Sequence, residues 1–305
     1  MNECPLVTIA IPAYKAEFIQ TTIKSALSQT YRNIEILIVD DSSNDEISSI
    51  VKRINDNRIC YVKNDTNIGG VNPAYNWNRC LELAKGEFFC LLCDDDLYEP
   101  NFVETLFLLA EKYPKTNVFR ARANFINSEG IEINRFASAP ECESWEDYLW
   151  HVAHGYRTQT ISEWMYRISA LRACGGFALL PLAWYADYLT IFRVAKDGGI
   201  VSTSNVLMHF RQSGENISSR DSDNTEKKIQ AAQQYRSEVE KSLDGSQEKQ
   251  AILIALDKLL KQHLKYNLNH ANRKTILRLL LKNKRYNLHM WWLWKAFWHT
   301  IFSKR

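Results

Sequence analysis

In the first 93 residues, β-rich runs alternate with helix-spaced ones, and this alternation limits the fold more than any other feature of the chain. Residues 7–11 form a β-rich run stopped by Pro12. Residues 17–28 carry Ile19, Ile23, Ala26 and Leu27 at helical spacing. Residues 34–39 read as a second strand ending at Asp40 and Asp41, and residues 42–45 offer N-caps for a helix over 46–55. Residues 59–62 are a third strand. After a polar loop over 64–72, Pro73 opens a helix reaching Leu83, where a first-turn proline gives up no helical hydrogen bond. Residues 88–93 are the fourth strand. The order βαβαβαβ implies a parallel sheet with helices on both faces. Ligands of such sheets sit at the carboxyl ends of the strands. Residues 12–14, Asp40 with Asp41, and residues 94–96 all fall at those ends, so one cleft collects them.

The last of these ends is chemically loaded. Asp94, Asp95 and Asp96 follow directly on an apolar strand. Carboxylates this close repel, and each raises its neighbours' pKa. A hard divalent cation removes that penalty. Mg²⁺ in particular is held by one or two carboxylates plus substrate phosphates. The run fits either a metal–diphosphate site or a solvated acidic turn before a helix at Asn101.

A hydrophobic fraction of 46% and a charged fraction of 24% belong to an ordinary globular protein, which argues against fibrous and disordered classes. No run of eighteen apolar residues occurs, so no membrane-spanning helix is expected. The seven scattered cysteines and the lack of a signal-peptide pattern point to reduced thiols in a cytoplasmic protein. Cys90 and Cys93 form a C-x-x-C with no second pair, and core packing accounts for both. His151 and His154, at i, i+3 without a Glu partner, read as surface or packing residues rather than zinc ligands.

The middle of the chain is mixed. Residues 117–124, 131–135, 160–166 and 206–211 read as strands, and residues 145–151, 169–173 and 184–196 as helical. From about Asp223 the pattern is helix only, with long amphipathic stretches over 225–243 and 247–268 and a basic one over 273–284. A boundary near residue 220 follows. Charge is divided along the same line. No acid follows Asp257, whereas twelve Lys and Arg do; against a total of +3, the first 257 residues sum to −9. A basic tail behind an acidic body calls for an anionic partner.

Three stretches carry a family likeness. One is VTIAIPAY at 7–14 with SALSQTYRNIEILIVDDSS at 25–43. A second runs from Ala84-Lys85-Gly86-Glu87-Phe88 through the acid run to Pro100. A third joins Gly175-Gly176-Phe177, residues 184–196, Phe210-Arg211 and Asn216-Ile217-Ser218. Together they resemble the family 2 glycosyltransferases, inverting enzymes of the GT-A fold. The resemblance implies an α/β, Rossmann-like, mainly parallel sheet over residues 1–220 and an all-helical extension over 221–305. It implies nucleotide contacts from Pro12, Ala13, Tyr14, Asp41, Asn72 and Asp94. A carboxylate accepts an imide N–H of the base, and an aromatic ring stacks on it. Metal, Mg²⁺ or Mn²⁺, would be held within Asp94, Asp95 and Asp96, with Asp95 at the ligand position. Asp187 aligns with the general base that takes the acceptor proton. The chain departs from the family at Ala186, where Glu is usual, and at Ser213, where many members have His. His209 or Arg211 would then supply a diphosphate contact.

Residues 288–298 hold four of the nine tryptophans, flanked by Lys282, Lys284, Arg285, Lys304 and Arg305. Such a segment suits the headgroup zone of an anionic leaflet, lying in the interface rather than spanning it. Nucleic acid is ranked low because the aromatics form a block instead of interleaving with the basic residues. The expectation is transfer of a sugar from a nucleoside diphosphate sugar, UDP ahead of GDP and dTDP. The acceptor is a hydroxyl of a glycan or lipid-linked glycan in surface polysaccharide assembly. The enzyme is expected to be cytoplasmic, peripheral on the inner membrane. The rival readings are a non-catalytic sugar-nucleotide or glycan binder and a sugar-1-phosphate nucleotidyltransferase. The second would want a Gly-rich loop where Pro12-Ala13-Tyr14-Lys15 stands.

Overall fold

The structure is a computed structural model that describes residues 4–212, 224–281, 293, 295 and 296. Its centre is a ten-stranded sheet of order β3-β2-β1-β4-β9-β6-β10-β5, with β7 on β6 and β8 on β10. Strands β1 (Val7–Ala13), β2 (Ile34–Asp40), β3 (Ile59–Lys63) and β4 (Phe88–Leu91) pair in parallel. Helices α1 (Ile19–Leu27), α2 (Glu46–Lys52) and α3 (Pro73–Leu83) make the crossovers. Strands β1, β2 and β4 are buried almost throughout, as a parallel sheet covered on both faces requires, whereas β3, at the sheet edge, is half-buried. Beyond β4 come a short β5 (Leu97–Tyr98), α4 (Phe102–Lys112), β6 (Val118–Ile126), β7 (Glu132–Arg135), β8 (Cys142–Glu143) and α5 (Trp145–Ala153). Strand β9 (Trp164–Arg167) is inserted antiparallel between β4 and β6. Helices α6 (Ile168–Ala173) and α7 (Ala186–Ala195) lead to β10 (Ile200–Arg211), which lies parallel to β6. The expected α/β sheet with covering helices is therefore present.

Four local expectations change. Strand β1 runs through Pro12 rather than stopping there. Successive residues face opposite neighbours, and Pro12 faces β4 beyond its last paired residue, Leu91, so its missing N–H leaves no ladder bond unmade. Residues 160–166 are not one strand. Thr160 starts a capping box with Glu163, forming a 3₁₀ turn over Ile161–Glu163 before β9. The helix expected from Trp184 begins at Ala186, because Leu182, Ala183 and Tyr185 all have positive φ. Strand β10 starts six residues earlier than the sequence pattern indicated.

The chain then continues as α8 (Thr225–Ser242), α9 (Lys249–His270) and α10 (Arg273–Leu281). Ala231, Tyr235 and Val239 of α8 and Ile252 and Leu256 of α9 share one core with the sheet residues Leu37, Phe89 and Leu91. These helices are thus seated on the α/β body through common packing. No helix among the described residues is long and apolar enough to cross a membrane.

Gly86 shows how tightly β4 is placed. A Cβ there would lie 2.7 Å from the Phe88 carbonyl oxygen and the Thr8 nitrogen, and 2.8 Å from the Leu6 carbonyl oxygen. These are backbone atoms and cannot swing aside. Gly86→Ala is expected to cost about 1–3 kcal/mol by overpacking. Urea unfolding with an unchanged slope and a lowered midpoint would show it; an unchanged midpoint would refute the fit.

Candidate active site

Strands β1 and β4 lie side by side, and their carboxyl ends are tied by one side chain. Asp94 Oδ2 accepts the backbone N–H groups of Tyr14 and Lys15, both at 2.8 Å. From α1, Thr22 Oγ1 donates to the carbonyls of Asp94 and Asp96, at 3.1 and 3.0 Å. From β10, Arg211 Nε donates to the Asp95 carbonyl at 3.0 Å. The acid loop is therefore held by its backbone from three sides, which fixes where its carboxylates stand.

The three carboxylates have different surroundings. Asp96 is fully buried, accepting from Ser162 Oγ at 2.7 Å and from the Arg211 N–H at 3.1 Å. Asp95 has the Lys15 ammonium 3.9 Å from Oδ2. Burial raises the pKa of all three. Asp95 is pushed up to about 6, by burial first and by the Asp94 charge next. Of the three carboxylates within which a metal is expected, one is committed to the protein interior. Asp96 turns inward to Ser162 and the β10 backbone. The three-residue group whose ligand atoms do converge, among the described residues, is Glu143, Asp147 and His151.

At the end of β2, Asp40 and Asp41 do different work. Asp40 accepts from the Ser43 N–H at 2.8 Å and the Tyr61 hydroxyl at 2.5 Å, a structural role. Asp41 does not cap α2. It gathers the loop before α3, accepting from Asn64 Nδ2 (2.9 Å), the Ile68 N–H (3.0 Å) and the Gly69 N–H (2.7 Å). Three donors leave one of a carboxylate's roughly four acceptor positions unused. Tyr14, next to this loop's side of the sheet, leaves about half its surface in solvent (53%). Pro12 and Ala13 set the backbone that presents it.

Asp187 lies in the first turn of α7, two residues after the left-handed Tyr185. Its Oδ2 accepts from Gln159 Nε2 at 3.2 Å. Burial pushes its carboxyl up to about 6, opposed by the Gln159 hydrogen bond and the local backbone N–H groups. Ala186 is fully buried, which explains the departure from Glu at that position: a carboxylate there would enter the core. Ser213 lies outside the described residues.

The remaining expected contacts have structural partners. Asn72 caps α3, accepting from the Ala74 N–H at 3.1 Å and donating to the Leu180 carbonyl at 2.8 Å. His209 is held at both ring nitrogens, by Asn124 Oδ1 at 2.7 Å and Glu99 Oε1 at 2.8 Å, so it is committed sideways within the sheet. Arg211 gives Nη1 to the carbonyls of Asn127 and Ser128, both at 3.0 Å, and its guanidinium covers the Phe18 ring. In this structure both side chains of the expected diphosphate contact bond protein groups, and Arg211 also holds the acid loop through the Asp95 carbonyl.

Comparison with known proteins fits this geometry. The model of glycosyl transferase family 2 matches residues 8–169, more than half of the chain. The chain belongs to glycosyl transferase family 2. Among curated relatives, it is 37% identical over 140 residues to the Escherichia coli UDP-Glc:α-D-GlcNAc-diphosphoundecaprenol β-1,3-glucosyltransferase WfaP, covering 45% of this chain and 53% of that one. An uncharacterized glycosyltransferase of Rickettsia typhi is 44% identical over 101 residues, covering 33% and 30%. The chain thus spans about a third to a half of the length of these relatives. Among solved structures, S. aureus TarS 1–349 with UDP-GlcNAc superposes with a TM-score of 0.67 at 19% identity, over 92% of this chain and 87% of that one. A Pyrobaculum calidifontis mannosyltransferase with GDP-Man and Mn²⁺ gives 0.56 at 17%, over 100% and 89%. At these identities the structural likeness establishes the fold, GT-A.

The family fold explains why the β1, β2 and β4 ends matter, and the side chains test whether a metal suits them. Three adjacent carboxyls with raised pKa values, two of them buried and one with a lysine ammonium beside it, form an acid-rich site. Carboxylate oxygens of the kind Asp94 and Asp95 offer suit a hard cation. Sequence reasoning missed Gln159, Ser162 and Lys15. Ser-x-x-x patterns and a lone Gln carry no motif, and only the fold brings Gln159 to Asp187 and Ser162 to Asp96.

Proposed function

We propose that the chain is an inverting glycosyltransferase, moving a sugar from a nucleoside diphosphate sugar to a hydroxyl of a glycan or lipid-linked glycan. UDP is favoured over GDP and dTDP, and surface polysaccharide assembly is the setting. The observation that carries this reading is the short segment from Gln159 to Ser162. Its first residue bonds Asp187 and its last bonds Asp96. Four consecutive residues span about 10 Å at most. This short link between the two supports reading the proposed base and the acid loop as parts of one site.

Each residue then has a task. Tyr14 stacks on the base, and the remaining acceptor position of Asp41 takes its imide N–H. Pro12 and Ala13 shape that edge, and Asn72 holds the loop and α3 against residue 180. Asp94 and Asp95 would hold Mg²⁺ or Mn²⁺, whose charge, when bound, would favour departure of the diphosphate. Asp187, ionised above about pH 6, accepts the proton of the attacking hydroxyl. Asp96 supports the loop from within. The division at residue 220 is proposed as a functional one, with 1–220 as the catalytic body and 221–305 as the helical region.

A panel of UDP-, GDP- and dTDP-sugars tests the donor. A donor-dependent rise in Tm that requires Mn²⁺, followed by nucleotide release, is expected for a UDP-sugar. Binding with no turnover across the panel and GlcNAc-diphospholipid acceptors would instead favour the non-catalytic rival. The tryptophan-rich segment lies largely outside the described residues, and its proposed role is contact with an anionic leaflet. Deleting residues 286–305 is expected to release the protein from phosphatidylglycerol liposomes in a sedimentation assay. Undiminished sedimentation would remove that role, and with it the peripheral placement on the inner membrane.

A further inference from the structure

Next to Asp187 lies a polar chain of side chains that the reaction does not directly use. Tyr148, on α5, is fully buried and donates its hydroxyl to Gln159 Oε1 at 2.7 Å. Gln159 is 6% exposed and donates Nε2 to Asp187 Oδ2 at 3.2 Å. The polarity has one consistent direction. An ionised carboxylate only accepts, so the amide nitrogen faces Asp187 and the amide oxygen faces the tyrosine. Tyr148 is itself fixed, edge-on to Trp164 and Phe192, with the Arg120 guanidinium 5.5 Å from its ring centre. Two apolar side chains of similar shape would fill the same space at little cost to stability. A buried amide aimed at one carboxylate is a functional expense.

We propose that Gln159 is the positioning residue of the base, its amide oriented by Tyr148 so that Asp187 stands in one orientation with its charge stabilised. This rests on the reading of Asp187 as base. The other groups facing Asp187 are tyrosines: Tyr188 and Tyr185 beside it, Tyr166 from β9 and Tyr235 from α8, whose hydroxyls are raised above their ordinary range by burial first, with the Asp187 charge adding to it. The Tyr166 and Tyr235 oxygens are buried and make no hydrogen bond, and the Tyr185 hydroxyl meets His263 Nδ1 at 2.8 Å. The charged groups on this side are Arg120 and Glu163, paired at 2.6 Å. Among the described residues, Gln159 is the side chain that bonds the carboxylate.

The test follows the carboxyl carbon of Asp187 by ¹³C NMR, its signal identified by its loss in Asp187→Asn, alongside UDP release from UDP-glucose as a function of pH. Gln159→Leu is expected to raise the Asp187 titration midpoint by about one unit. The acid limb of turnover moves with it. Tyr148→Phe removes one oxygen, keeps the packing, and shifts both in the same direction by less. A purely structural role for Gln159 lowers turnover at every pH and leaves the midpoint where it was, which would overturn the inference. Asp187→Asn separates the two levels. If it keeps turnover, the base reading fails. If it is inactive while Gln159→Leu titrates like the wild type, only the role of Gln159 fails.

Discussion

Asp95→Ala is expected to lower metal-dependent nucleotide release by about a hundredfold to a thousandfold. The loss follows from the setting of this carboxylate. Asp94 already spends one oxygen on the Tyr14 and Lys15 backbone, and Asp96 is spent inside the protein. Asp95, the position where the family resemblance puts the metal ligand, is the proposed principal anchor for a cation. The same substitution removes one of three mutually repelling buried acids, so the fold is not expected to suffer. In EDTA the variant's Tm should equal or exceed that of the wild type, while the Mn²⁺-dependent rise in Tm disappears. Full turnover would remove Asp95 from the site. A collapse of Tm in EDTA would show that the carboxylate is structural.

Asp187→Asn is expected to reduce kcat by about 10²–10⁴, because the amide cannot accept the acceptor hydroxyl's proton. Its oxygen can still accept from Gln159, so geometry survives. In the wild type, turnover should rise with pH through about 6, the carboxyl's raised value. Stability moves oppositely. A folded pKa above the ordinary one means the native state holds this proton more tightly than the unfolded chain. That contribution is complete below the ordinary carboxylate range and lost as pH rises through about 6. At neutral pH the asparagine variant should therefore be at least as stable as the wild type. An active variant, or one that is inactive because it has unfolded, would contradict the assignment.

Much of this was legible in the chain itself, for a physical reason. Parallel strands buried on both faces must be apolar throughout, so residues 34–40 and 88–91 announce themselves, and a polar residue at such a strand's end is an exception worth reading. Asp94 to Asp96 and Asp41 were found that way. The fold also sorted residues that looked alike. Three adjacent aspartates look alike in sequence, yet the end of β1 holds Asp94, the Lys15 ammonium stands by Asp95, and the 3₁₀ turn and β10 take Asp96. His209 looked like an anion contact until Asn124 and Glu99 were seen on either side of it. Asp187 was found by family likeness, whereas Gln159 sits 28 positions away, in a segment whose strand-like sequence folds into a capped 3₁₀ turn. Long-range hydrogen bonds of that kind leave no periodic trace. Neither does the left-handed backbone before α7, since Leu182, Ala183 and Tyr185 are residue types that ordinarily avoid it.

The account turns on where a divalent ion meets this protein in the presence of nucleotide. A crystal grown with Mn²⁺ and UDP, with diffraction collected at the manganese absorption edge, addresses it directly. The predicted result is one anomalous peak at Asp95 within reach of Asp94, bridging to the diphosphate, with the uracil against Tyr14 and Asp41. A peak at Glu143, Asp147 and His151 with none at Asp95, or UDP bound away from the ends of β1 and β4, would contradict it.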